Sequence, residues 1–256
     1  MSAKKDRERR AAERLEAEVE AQGHDRRRRL LQLASAAVFL TVAAVLVLIV
    51  VSGNETSGGD AGNVQQARAV DHLLAGIPQR GMLLGEPQAK VRLVEFGDLQ
   101  CPVCKAFSEE IVPSVIDNRV REGKASIEFR NFTIIGEESI PAGAAAIAAG
   151  EQGRGWNYVD LFYRNQGRER SGYVTDEFLT AIARGAGVRD IARWNRERKS
   201  KTVLAEVGKT TREAERLGFG GTPSFAVEGP VTTRLKALEF PESSGEIEEA
   251  IDAARG

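Results

Sequence analysis

Between Leu30 and Val51 lie 22 consecutive residues without a charge, LLQLASAAVFLTVAAVLVLIVV. As a helix rising about 1.5 Å per residue, this run is roughly 33 Å long, enough to span the hydrocarbon core of a bilayer. Gln32, Ser35 and Thr41 are too few to form the polar stripe of a buried core helix. A cleaved signal peptide has a shorter apolar region that ends in small residues, and no cysteine follows this run to accept a lipid. The run therefore predicts one uncleaved transmembrane helix over 30–51. Arg26 to Arg29 abut its N-terminal end, whereas only Arg68 is basic in about the next 20 residues beyond it. The positive-inside rule then places the N-terminus in the cytoplasm and everything after Val51 outside, as a single-pass protein of the cell membrane. Residues 1–29 read as a charged, solvated tail in which the arginines determine topology, with contact to anionic lipid as the rival use. Residues 52–64, rich in Gly, Ser, Asn and Asp, read as a flexible linker.

Residues 65–256 carry the pattern of a folded domain. Composition is globular, with 42% hydrophobic and 29% charged residues. Lys and Arg number 36 against 37 Asp and Glu, so no basic field exists to hold nucleic acid. His72 in VQQARAVDHLLAG reads as a residue of a short helix. From about Gly81, strand and helix alternate. MLLG and KVRLVEF are short apolar runs of strand type, and CKAFSEEIVPSVIDNRV has helical spacing interrupted by Pro113. Ala125 to Ile134 alternates like a strand. A helical insertion is expected over about 141–218, with Thr175 as an N-cap. SFAVEG and TTRLKALEF then read as a closing hairpin. A final helix opens with a capping box from Ser243 to Glu246.

The two cysteines of the chain, Cys101 and Cys104, stand two residues apart in EFGDLQCPVCKAF. Closing so small a ring gives about 2 kcal/mol in the chain-entropy model, against nearly 5 kcal/mol for a loop of about 100 residues, so stapling is a weak use for them. A closed zinc site needs four ligands, and the histidines of the chain are His24 and His72. No metal site is expected. Redox exchange remains, in which one thiol attacks a disulfide formed by the other. Cys101 sits where a helix should begin, so the free N–H groups and dipole of that end favour its thiolate and make it the nucleophile. Pro102 suits the first helical turn, where a missing N–H leaves no partner unmet. Val103 adds no charge. Cys104, one turn further on, is the less exposed, resolving thiol. Asp98 and Lys105 read as ordinary surface charges, with Lys105 able to stabilise the thiolate modestly.

VEFGDLQCPVC, a helical insertion and then GTPSF together resemble the DsbA-like branch of the thioredoxin superfamily. The likeness covers roughly Gln65 to Gly256. It implies an α/β fold, thioredoxin-like with an inserted helical subdomain, here preceded by the transmembrane helix, and it implies thiol-disulfide exchange outside the cytoplasm. No cofactor is expected beyond the Cys101–Cys104 redox disulfide. The resemblance places an acidic residue at the position of Glu95 beneath the cysteines, where it relays protons for the buried thiol; burial would raise its pKa, fitting it to take a proton from Cys104. An edge-strand acid facing water is the alternative reading of Glu95. The resemblance also implies a cis bond between Thr222 and Pro223, with this loop facing the cysteines and an extended substrate added to it as a strand. Pro102, Val103, Thr222 and Pro223 are thus the expected substrate-binding residues. The Thr222 hydroxyl is free to donate to a thiolate or to engage its own backbone. Gly220 and Gly221 are expected to let the loop approach closely. Some DsbA-like proteins carry His at the position of Val103, where it helps hold the thiolate.

The reading that follows is a membrane-tethered thiol-disulfide oxidoreductase that oxidises the cysteines of exported proteins and exchanges electrons with a membrane redox partner. A reductase or isomerase of the same fold is the nearer alternative. A non-catalytic, membrane-tethered module binding peptides or metal is the more distant one.

Overall fold

The computed structural model describes residues 64, 66–232 and 234–256. The expected tail 1–29, the transmembrane helix 30–51 and all of the linker but Val64 lie outside the described residues, among which no helix is long and apolar enough to cross a membrane. Helix α1 (Ala67–Leu74) leads to the short strands β1 (Gln79–Arg80) and β2 (Leu83–Leu84), joined by a turn in which Gly81 takes a φ of +58°, a conformation open to glycine. Strand β3 (Val91–Gly97) is followed by α2 (Pro102–Glu110), α3 (Val112–Val115), a π-helical turn (Ile116–Val120) and β4 (Ala125–Asn131). Helices α4 (Ser139–Gly150), α5 (Gly155–Arg164), α6 (Asp176–Gly185), α7 (Ile191–Glu197) and α8 (Lys201–Arg216) come next. The chain ends in β5 (Ser224–Glu228), β6 (Lys236–Ala237) and α9 (Ser244–Arg255).

The strands form one sheet in the order β1-β2-β4-β3-β5-β6. β3 runs parallel to β4 through the α2–α3 crossover and antiparallel to β5, so it has a partner along both edges. Its burial is nearly continuous, which is why VRLVEFG reads as an apolar run and not as an alternating one. The break between α2 and α3 falls at Ile111, two residues before Pro113, which has no N–H to offer the carbonyl of Glu109. Residues 139–216 supply the helical insertion implied by the resemblance. α4 is lined with buried small residues, among them Ala142, Ala144, Ala145 and Ala149, and α5 buries Trp156, Tyr158, Leu161, Phe162 and Tyr163.

Local capping agrees with the residue patterns. Thr175 Oγ1 accepts the Phe178 N–H at 3.1 Å. Ser243 accepts the Glu246 N–H, while Glu246 reaches back to the N–H of Glu242, one residue before the cap. Three elements depart from expectation. β4 stops at Asn131, short of Ile134, because the N–H groups of residues 132–135 turn to other acceptors, Phe132 to Gly97, Thr133 to Thr211 Oγ1, and Ile134 and Ile135 to Asp98. β6 is confined to two residues. Helix α7 lies within the expected helical stretch but was not singled out there, since IARWNRE offers only Ile191 and Trp194 as large apolar residues; Trp194 is fully buried and donates from Nε1 to the Ala145 carbonyl at 2.9 Å.

Candidate functional site

Cys101 is the N-cap of α2, with an extended backbone, and Pro102 begins the helix. Its sulfur accepts the Cys104 N–H at 3.3 Å and, as a thiol, donates to the Thr222 carbonyl at 3.3 Å. Both cysteines are free thiols. Cys101 shows 4% of its surface and Cys104 none, while Pro102 is exposed and Val103 is 51% exposed. Thr222 and Pro223 join in a cis peptide bond at the head of β5, opposite the start of α2.

The surroundings drive the two thiols apart. Cys101 is drawn down to about 6. The Cys104 side chain contributes most, burial opposes it, and the Thr222 side chain with the backbone N–H groups of Cys104 and Val103 adds to the fall. Cys104 is pushed well above the ordinary thiol range by burial first, then by its bond to Cys101 and the charges of Cys101 and Glu95. The Thr222 hydroxyl is buried and bonds to no neighbour, its own backbone included. It is therefore free to donate once the Cys101 sulfur ionises and becomes an acceptor.

Glu95 lies on β3 opposite Phe129 on one side and Phe225 on the other and is 2% exposed. The edge-strand reading fails because β3 is interior to the sheet. Burial in the first place and the Cys101 thiolate in the second raise its pKa to about 8, and Oε1 has no hydrogen-bond partner. A carboxyl so placed keeps its proton in neutral solution and can hand it to a sulfur beside it.

Asp98 is not the surface charge its place in the sequence suggested: it is wholly buried at the start of the turn into α2. Its carbonyl accepts the Cys101 N–H at 2.9 Å and the Tyr163 hydroxyl at 3.3 Å. Gln166, just past α5, donates from Nε2 to the carbonyls of Leu99 at 2.7 Å and Cys101 at 3.1 Å. Buried Gln100 donates to Ser139 Oγ at 3.0 Å and accepts the Arg170 N–H at 3.0 Å. The helical insertion thus holds the turn before the cysteines from behind. Asp98 had a readable signal, since an Asp directly after a strand is a turn former. Gln100, Tyr163 and Gln166 had none. Gly220 and Gly221 do not serve close approach, because a Cβ on either would meet nothing within 4 Å. Among the described residues, no three His, Cys, Asp or Glu side chains gather to hold a metal ion.

Residues 78–253 match the model of the family described as Thioredoxin. The chain belongs to the thioredoxin family. A probable disulfide bond formation protein D of Bacillus cereus is 30% identical over 149 residues, which is 57% of this chain and 69% of that relative. A thioredoxin-like oxidoreductase from Silicibacter pomeroyi DSS-3 superposes with a TM-score of 0.54 at 28% identity, over 72% of this chain and 96% of that one. BdbD from Bacillus subtilis in its oxidised state shares the fold, with a TM-score of 0.60 at 22% identity over 70% of this chain and 97% of that one. This member of the thioredoxin family is a thiol-disulfide oxidoreductase of DsbA-like fold.

Proposed function

We propose that the protein oxidises the cysteines of exported proteins through a Cys101–Cys104 disulfide, with no other cofactor, from a domain tethered outside the cytoplasm by residues 30–51. The observation that carries this reading is the opposed setting of the two sulfurs. Cys101 is capped by donors and drawn down to about 6, whereas Cys104 is fully buried and pushed up. Such a pair favours its reduced form and gives up its disulfide readily.

In the oxidising direction, a substrate thiolate attacks the Cys101 sulfur. The Cys101–Cys104 bond breaks, its electron pair passes to Cys104, and Glu95 supplies the proton that the buried sulfur takes up. A second substrate thiolate then attacks the substrate sulfur of the mixed disulfide, forming the product disulfide and releasing Cys101 as a thiolate. Val103, exposed beside the nucleophile, and the Thr222–Pro223 loop offer the surface on which an extended substrate lies. The two electrons left on the pair pass to a membrane redox partner that accepts them. The charge step at Arg26 to Arg29 supports the outward placement.

Cys104→Ser, expressed in cells, should trap mixed disulfides through Cys101 with exported proteins, and Cys101→Ser should trap few. The purified, oxidised protein should form disulfides in a reduced, unfolded test protein. Trapping of cytoplasmic proteins overturns the outward placement. A protein that only reduces disulfides puts the reductase reading in place of the oxidase one.

A further inference from the structure

Asp98 bonds both to the turn that delivers Cys101 and to the segment leaving β4, a span that Arg170 also bridges through the Gln100 side chain and the Ile135 carbonyl. Its Oδ1 accepts the Gln100 N–H, and its Oδ2 accepts the N–H groups of Ile134 and Ile135, each at 2.9 Å. Its carbonyl closes the turn on the Cys101 N–H. Two carboxylate oxygens serve three backbone donors, and no other short side chain does this. Asn has a single acceptor oxygen, and its NH2 would face donors on one side or the other. A buried N–H left without an acceptor is costly, so losing one of these bonds shifts the turn until the donor finds another partner.

We propose that Asp98 is a positioning residue for the thiol chemistry: its bonds hold the Cys101 sulfur at the start of α2, within reach of the Cys104 N–H and of Thr222. The proposal rests on Cys101 as the nucleophile. The sulfur meets the Cys104 N–H and the Thr222 carbonyl at 3.3 Å each, so a small displacement of the turn loosens both contacts together. Tyr163 and Gln166 bond to carbonyls of the same turn from the insertion. Asp98 fixes its other side, its carboxylate joining the turn directly to the backbone of Ile134 and Ile135.

A second way for Asp98 to act would be through its charge alone. A nearby negative charge disfavours the thiolate, so neutralising it would make Cys101 more acidic. Loss of position makes Cys101 less acidic, and the two explanations therefore predict opposite signs. Thiolate absorbance in the ultraviolet, followed against pH on the reduced full-length protein, reads the difference. Asp98→Ala should raise the Cys101 pKa by about one unit, cutting the thiolate fraction at pH 6 about fivefold. Asp98→Asn, which keeps one acceptor, should move it the same way by less. A fall in pKa in both variants would mean charge and not position and overturns the proposal. An unchanged pKa with a lower melting temperature overturns it as well, leaving Asp98 a scaffold residue. If Asp98→Ala does not fold, the sign of the shift in Asp98→Asn decides. A wild-type protein in which neither thiol titrates ahead of the other removes the nucleophile reading and this proposal together, whereas the variant results bear on Asp98 alone.

Discussion

Glu95 keeps its proton because a carboxylate inside the sheet has lost its water and found no donor for Oε1. The consequence for stability has a definite sign. With the folded pKa raised from 4.5 to about 8, the folded state binds more protons than the unfolded chain between those values. Stability from this group is complete below about pH 4.5 and is lost as pH rises through about 8, a change on the order of 5 kcal/mol. Gln keeps the volume and cannot ionise. Glu95→Gln should therefore gain stability over the wild type progressively from pH 4.5 to pH 8 in denaturant titrations, while thiol-disulfide exchange slows for want of a proton at Cys104. A stability difference that stays constant with pH, with unchanged exchange, returns Glu95 to an inert core position. Cys101 and Cys104 were legible from their spacing and from the strand and helix on either side. Asp98 was legible as a turn former but not as a buried one, because whether an acid after a strand meets water or a second loop depends on residues 134 and 135, more than 30 positions away.

At the level of elements, the site depends on how closely β3, β4 and α5 meet beneath it. Gly97 ends β3 where a Cβ would lie 2.6 Å from Phe129 Cε2 and 3.0 Å from the Tyr163 hydroxyl, both groups of the packed core. Gly97→Ala should cost about 1–3 kcal/mol by overpacking. It should also disturb the Tyr163 bond to the Asp98 carbonyl. Gly220→Ala is the contrast: the added methyl meets nothing, and its effect should stay within about 0.5 kcal/mol. Equal losses in the two variants, read from denaturant midpoints, would contradict this account of the packing. The elements themselves were largely legible, because β3 is a short apolar run, α5, α6 and α8 each carry a helical period and α6 and α9 carry caps. Strand ends were harder to place. IEFRNFTI alternates through Ile134, yet its last residues leave the sheet to satisfy Asp98, a tertiary bond that no local pattern announces.

For the molecule as a whole, the acidity of one sulfur sets the direction of exchange. With Cys101 at about 6, thiolate outnumbers thiol about ten to one at pH 7, which favours the reduced protein roughly tenfold over a pair of ordinary acidity. In a two-electron couple that factor is about 30 mV toward a stronger oxidant. The same ionisation should show in the pH dependence of the potential. Below about pH 6, reduction takes up two protons with two electrons, and the potential falls by about 59 mV per pH unit; above it, Cys101 stays ionised, one proton is taken up, and the slope drops to about 30 mV. Glu95 blurs the change, because the thiolate formed on reduction raises its pKa and makes it bind part of a further proton just below pH 8. Glu95→Gln should remove that part and leave a sharper break near pH 6. The measurement is the potential against glutathione buffers over pH 5 to 8, in the wild type and in this variant. A single line of about 59 mV per pH unit in both would mean that Cys101 ionises no more readily than a free cysteine. The protein would then lack the stabilised reduced state that an oxidase of this kind needs, and its disulfide chemistry would run in the reducing direction.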